Sequence, residues 1–75
     1  MSDTVWEAKV KGILKAELKR RGVTYAQLVE KLAAIDVVDT EPNIRNKLAR
    51  GKFTAVFLIQ CLRAIGASSL RLSDS

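Results

Sequence analysis

A chain of 75 residues makes at most one domain, and with 48% hydrophobic residues, one proline and no low-complexity tract it is a globular chain rather than a disordered one. The absence of histidine and the single cysteine, Cys61, exclude a zinc finger, a Cys/His metal cluster and an intramolecular disulfide. A net charge of +5 directs attention to polyanions, and the longest apolar run, AVFLI, falls far short of the roughly 20 residues that span a bilayer.

The start, MSDTVWEAK, has no basic segment followed by an apolar one, so the expectation is a soluble cytoplasmic protein with no membrane anchor. Trp6, Val10, Ile13, Leu14 and Leu18 recur at i, i+4, i+7, i+8 and i+12, which predicts a first helix over roughly residues 4 to 21, closed by RRG with Gly22 beyond its end. Glu17 falls inside that apolar arc and is expected to be ion-paired, with Arg21 one turn on or with a cation from another helix. TYAQLVEKLAAI opens on Thr24, a good N-cap, and repeats Leu28, Leu32 and Ile35, predicting a second helix over about 24 to 34. DVVDTE breaks the period, and Pro42 suits a helix start while pushing Glu41 away from helical angles. A third helix therefore begins near 41 or 42 and runs to Arg50, with Gly51 as its stop. The fourth, TAVFLIQCLRAIG, starts on Thr54 and ends at Gly66. The outcome is a compact all-α fold of four helices, a single domain over 1–75 with its core in 5–66 and a short tail, ASSLRLSDS, over 67–75.

Charge is unevenly distributed along this order. Residues 1–8 carry −2, 9–21 carry +5, 22–42 carry −3 and 43–52 carry +4 with no acid. Two basic blocks flanking an acidic one make either a positive face that attracts a polyanion or two ordinary solvated helix faces. On the third helix, Ile44, Leu48 and Gly51 fall together on one edge, which packs inward. Asn43, Asn46, Lys47 and Arg50 occupy the other side, with Arg45 and Ala49 on its flank. Asparagine pairs bidentately with adenine and arginine with guanine, the other cations suit phosphates, and a small alanine permits close approach to a major groove. The alternative is a polar outer face with Asn43 as a local cap.

LKAELKRRGVTYAQLVEKL, NIRNKLARGKF and FLIQCLRAIG, spanning residues 14 to 66, resemble the helix-turn-helix domain of phage-repressor and Cro-type regulators. RRGVTYAQLVEKL and LARGKF carry the match, through a first helix ending in RG, a capped second helix and a recognition helix that stops on glycine. NIRNKLARGKF with FLIQCLRAIG also resembles a small proteobacterial family of uncharacterised helix-turn-helix-like domains. The resemblance implies a lambda-repressor-like fold and insertion of helix 42–50 in the major groove of double-stranded DNA. Asn43, Asn46 and Arg45 would read bases, Lys47, Arg50 and Lys52, with basic residues of the first helix, would neutralise phosphates, and Thr24 and Tyr25 would stand at the backbone-facing start of the second helix. Three departures stand beside it: the connection AAIDVVDTEP is longer and more acidic, Tyr25 replaces a glutamine usual in repressors, and no separate dimerisation domain is expected within these 75 residues. The Tyr25 hydroxyl either donates to a phosphate or lets the ring pack against the first helix.

The fourth helix bears on the last departure. Phe57, Leu58, Cys61, Leu62 and Ile65, with Val56 and Ile59, leave it apolar nearly all round, which predicts a homodimer through this helix and the SLRL tail. Catalysis is not expected, because no P-loop, nucleophile elbow or paired carboxylate is present and Cys61 lies in the most apolar helix. Neither a cofactor nor a small-molecule substrate is implied. The leading expectation is a small dimeric transcriptional regulator. Its rival is a protein-interaction module that offers the same face to an acidic protein, a reading the acids Asp36, Asp39 and Glu41 favour. RNA binding is weaker, since Trp6, Tyr25, Phe53 and Phe57 are needed for a core rather than a stacking platform.

Overall fold

The computed structural model of the protein describes residues 2–72; Met1 and residues 73–75, the end of the tail read from the sequence, lie outside it. Four helices follow one another: α1 (Ser2–Arg20), α2 (Tyr25–Ala33), α3 (Glu41–Arg50) and α4 (Ala55–Ala64), with no strand among the described residues. Each boundary has a local cause. Thr24, Thr40 and Thr54 sit in extended backbone and accept hydrogen bonds on their hydroxyls from the N–H groups of Gln27, Asn43 and Phe57, at 3.1, 3.3 and 3.0 Å. At α2 the Gln27 side chain returns the bond to the Thr24 N–H at 2.9 Å and completes a capping box.

Three of the four helix ends close alike. The N–H groups of Val23 and Gly22 donate to Leu18 and Lys19 carbonyls at 2.9 and 3.1 Å, and those of Ala67 and Gly66 donate to Leu62 and Arg63 at 2.8 and 3.1 Å. These paired bonds are Schellman closures, and Gly22 supplies the left-handed turn with φ 66°. α2 closes the same way without glycine: Val37 and Asp36 donate to Leu32 and Ala33 at 2.9 and 3.0 Å, and Asp36 takes φ 65° itself, a conformation its short polar side chain tolerates.

Leu14 and Leu18 of α1, Leu28 and Leu32 of α2, Ile44 and Leu48 of α3, and Phe57, Cys61 and Leu62 of α4 form one core with Ala67 of the tail. Each leucine, isoleucine or phenylalanine among them contributes about 1.5–3 kcal/mol relative to exposure when fully buried. α1 packs on α3, and α2 packs on both α3 and α4. Glu17 is buried at 3% exposure and is paired, as expected: Arg20 approaches Oε2 at 2.5 Å and Arg21 approaches Oε1 at 3.4 Å, both from its own helix end.

Two expectations change. Trp6, placed first in the buried arc, is 61% exposed, with the Lys9 ammonium 5.3 Å from its ring, because the core begins about two turns later at Leu14. The assignment of Phe57, Cys61 and Leu62 to a dimer interface also changes, since at 4%, 0% and 7% exposure they are used up in the chain's own core. Leu58 and Ile65 are half-buried against that core. What α4 leaves at the surface is Val56 and Ile59, at 65% and 56%.

Candidate nucleic-acid interface

α3 is fixed at both ends. At its start, Asp39 Oδ1 accepts from the Thr40 N–H at 2.8 Å, Thr40 caps the helix, and Glu41 places an acid in the first turn, where the helix dipole favours it. At its end, the Gly51 N–H donates to the Lys47 carbonyl at 2.9 Å in the left-handed region, φ 69°. Gly51 is also the point of closest approach to α1: a Cβ there would overlap the Glu7 carbonyl oxygen and lie 2.8 Å from its carbon. Beside it, Lys11 Nζ donates to the Ala49 carbonyl at 3.1 Å, and Lys52 Nζ lies 3.6 Å from a Glu7 carboxylate oxygen. α1 therefore clamps the last turn of α3 by backbone contact, by a hydrogen bond to a free helix-end carbonyl and by an ion pair.

With Ile44 and Leu48 fully buried, the opposite side of α3 carries Asn43, Asn46, Ala49 and Arg50, all exposed. Among the described residues Arg50 makes no ion pair, so its guanidinium is available to a ligand. Arg45 stands on the flank, bonded to Glu41 at 2.7 Å, its guanidinium carbon 5.7 Å from the centre of the Tyr25 ring. That contact brings the start of α2 beside the middle of α3. Tyr25 is half-buried and packs on the core, and the face of its ring meets α3. The Thr24 hydroxyl is engaged as the α2 cap.

Lys47 departs from the outer face that helical angle gave it. Its ammonium is 2.8 Å from Asp39 Oδ2 and 4.3 Å from the centre of the Phe57 ring, so it turns towards the junction of α3, α4 and the acidic connection. Burial pushes the Asp39 carboxyl up, but the Lys47 ammonium, the Thr40 N–H and the Asn43 side chain together outweigh this and hold it below its ordinary value. Hydrogen bonding to Arg20 does the same for Glu17, against burial and with help from Arg21. Two of the four cations in NIRNKLARGK are thus met by acids of the α2–α3 connection or the first turn of α3, and a third, Lys52, by Glu7 of α1. Asp39 and Lys11 were not singled out in the sequence as partners of α3, because no local period joins them to it.

The model of a family described as Domain of unknown function (DUF6471) matches residues 6–70. The chain belongs to this family. The match takes in α2, α3, α4, α1 from Trp6 onward and every residue of the surface just described. No curated protein and no solved structure matches the chain. Among the described residues no helix is long and apolar enough to cross a membrane.

Proposed function

We propose that this DUF6471 protein binds double-stranded DNA as a small transcriptional regulator of helix-turn-helix type, with α3 in the major groove. The observation that supports this reading is the exposed stripe Asn43, Asn46 and Arg50 beside small Ala49, on a helix whose flank is held to the start of α2 by Arg45 on Tyr25. From Asn43 to Arg50 the stripe spans about 10 Å, enough for side chains to reach successive base pairs. Asn46 and Asn43 pair with adenine edges and Arg50 with guanine, while Lys52, exposed beyond the helix end, suits a phosphate. Val56 and Ile59 are the apolar side chains through which α4 would join a second copy, setting two α3 helices about one DNA turn apart. Selection from a random duplex library tests the reading. An enriched sequence is expected, with Asn46→Ala and Arg50→Ala each relaxing the preference at one position by about 1–3 kcal/mol. Absence of enrichment, or variants that bind as the parent does, would count against it.

A second reading is favoured by the ion pairs Arg45–Glu41 and Lys47–Asp39, which already neutralise part of the face. In it the same surface receives an acidic protein segment in place of phosphates.

A further inference from the structure

We propose that α1 carries a second contact surface for the same duplex, in which Lys11, Lys15 and Lys19 form a track for one phosphate strand. This rests on the DNA reading of α3 and specifies which basic residues of α1 join its footprint and how they are arranged. The three lysines follow one another at i, i+4 and i+8, so they advance about 40° and 6 Å at each step and cover about 12 Å along the helix. The inward face of α1 is fixed by Leu14 and Leu18, at 0% and 3% exposure, and the lysine row lies to one side of it.

Its position relative to α3 is set by contacts at both ends. Lys11 Nζ is bonded to the Ala49 carbonyl at 3.1 Å, which starts the row beside Arg50. From there α1 runs to the turn that delivers Tyr25, whose ring lies against Arg45. The row therefore accompanies α3 from the level of Arg50 towards that of Arg45. Lys15 and Lys19 are exposed and make no ion pair among the described residues.

The four acids that form ion pairs with α1 and α3 are turned away from this row. Glu17 is buried between Arg20 and Arg21, Glu7 faces Lys52, Glu41 is bonded to Arg45 at the far end of α3, and Asp39 lies with Lys47 against Phe57. Nor do neighbouring side chains fill the surface beside the row, where Ala8 and Gly12 are exposed and a Cβ on Gly12 would meet nothing within 4 Å. Phosphates recur every 3.4 Å of axis along one DNA strand, so a row of about 12 Å accompanies roughly three of them. A regularly charged strand of this kind matches evenly spaced lysines, as an acidic protein surface has no reason to do.

The experiment is fluorescence anisotropy of a labelled duplex across a salt series, with the full chain, the Lys15→Ala/Lys19→Ala double variant and Arg63→Ala as a control on the exposed C-terminal part of α4. Alanine at exposed helical positions leaves the fold intact, which circular dichroism checks, and a Lys15→Gln/Lys19→Gln pair guards against any effect of helix propensity. Each phosphate contact contributes about 0.9 to the slope of log affinity against log salt, so the double variant is expected to lower the slope by roughly 2 with sequence preference unchanged. Arg63→Ala should leave the slope where it was. An unchanged slope in the double variant, with the parent still binding DNA, overturns the track and leaves the reading of α3 standing. A parent chain that binds no duplex at low salt overturns both.

Discussion

Replacing Gly51 by alanine separates two effects that glycine serves in this chain, and Gly22 is the internal reference. Both glycines close helices in the left-handed region, at φ 69° and 66°. An alanine there costs about 1–2 kcal/mol of backbone strain, partly offset by about 0.4–1 kcal/mol from the stiffer unfolded chain. Around Gly22 a Cβ would meet nothing within 4 Å, so Gly22→Ala should cost about 1 kcal/mol or less and lower Tm by a few degrees. At Gly51 the same Cβ would run into the Glu7 carbonyl, with the Glu7 Cβ a further 3.1 Å neighbour, and backbone cannot swing aside as a side chain can. α1 must move away from α3, an overpacking cost of about 1–3 kcal/mol in addition to the strain. The total, about 2–4 kcal/mol, is a large share of the roughly 4–11 kcal/mol expected of a domain this size. At about 4–8 °C per kcal/mol, Gly51→Ala should lower Tm by 10 °C or more in a circular-dichroism melt. Equal Tm losses in the two variants would refute the close approach of α1 to the end of α3.

Glu17 and Asp39 both have their carboxyl groups held below the ordinary range when folded, so the stability they contribute is present above their unfolded pKa values, near 4.5 and 3.8, and is lost as pH falls through the lower folded ones. Urea midpoints should therefore drop below about pH 4.5, less steeply in Glu17→Gln, which is itself weaker at neutral pH by about 1 kcal/mol since its arginine partners are partly solvated. Parallel pH profiles for parent and variant would contradict this. Burial pushes the Cys61 thiol up to about 12, and the side chain is fully covered, so an aromatic disulfide reagent at pH 8 should label it only in denaturant. Rapid labelling of folded protein would contradict that. Glu41→Gln removes an exposed acid from the start of α3 and should tighten duplex binding several-fold at low salt; no change or a loss would favour an acidic protein as the partner.

The helix boundaries were legible because their causes are local. Thr24, Thr54, Pro42 and the glycines at 22, 51 and 66 each act within one turn, and the structure uses all of them. Asp36 was not legible as a stop, since aspartate accepts the left-handed turn only where the Leu32 and Ala33 carbonyls are there to be closed. Helical angle also misplaced side chains whose fate depends on neighbours. Trp6 shares the period of Leu14 yet stays 61% exposed, and α4 reads as apolar all round although one side is covered and Val56 and Ile59 are not. On α3, angle alone grouped Asn43, Asn46, Lys47 and Arg50. The structure keeps Asn43, Asn46 and Arg50 at the surface and withdraws Lys47, because Asp39 arrives beside it through the turn before α3 and the Phe57 ring from α4. Ion pairs between separate elements follow from packing, which charge counts along the chain do not contain.

The most direct test of the central claim is an NMR titration of isotope-labelled protein with a random short duplex, first at low and then at physiological salt. If α3 faces DNA, the amides of residues 43–52 shift together with those of Thr24 and Tyr25, and the shifts fade as salt rises. If no amide of α3 moves at low salt, its exposed asparagines and Arg50 do not face DNA, and the proposed function is wrong.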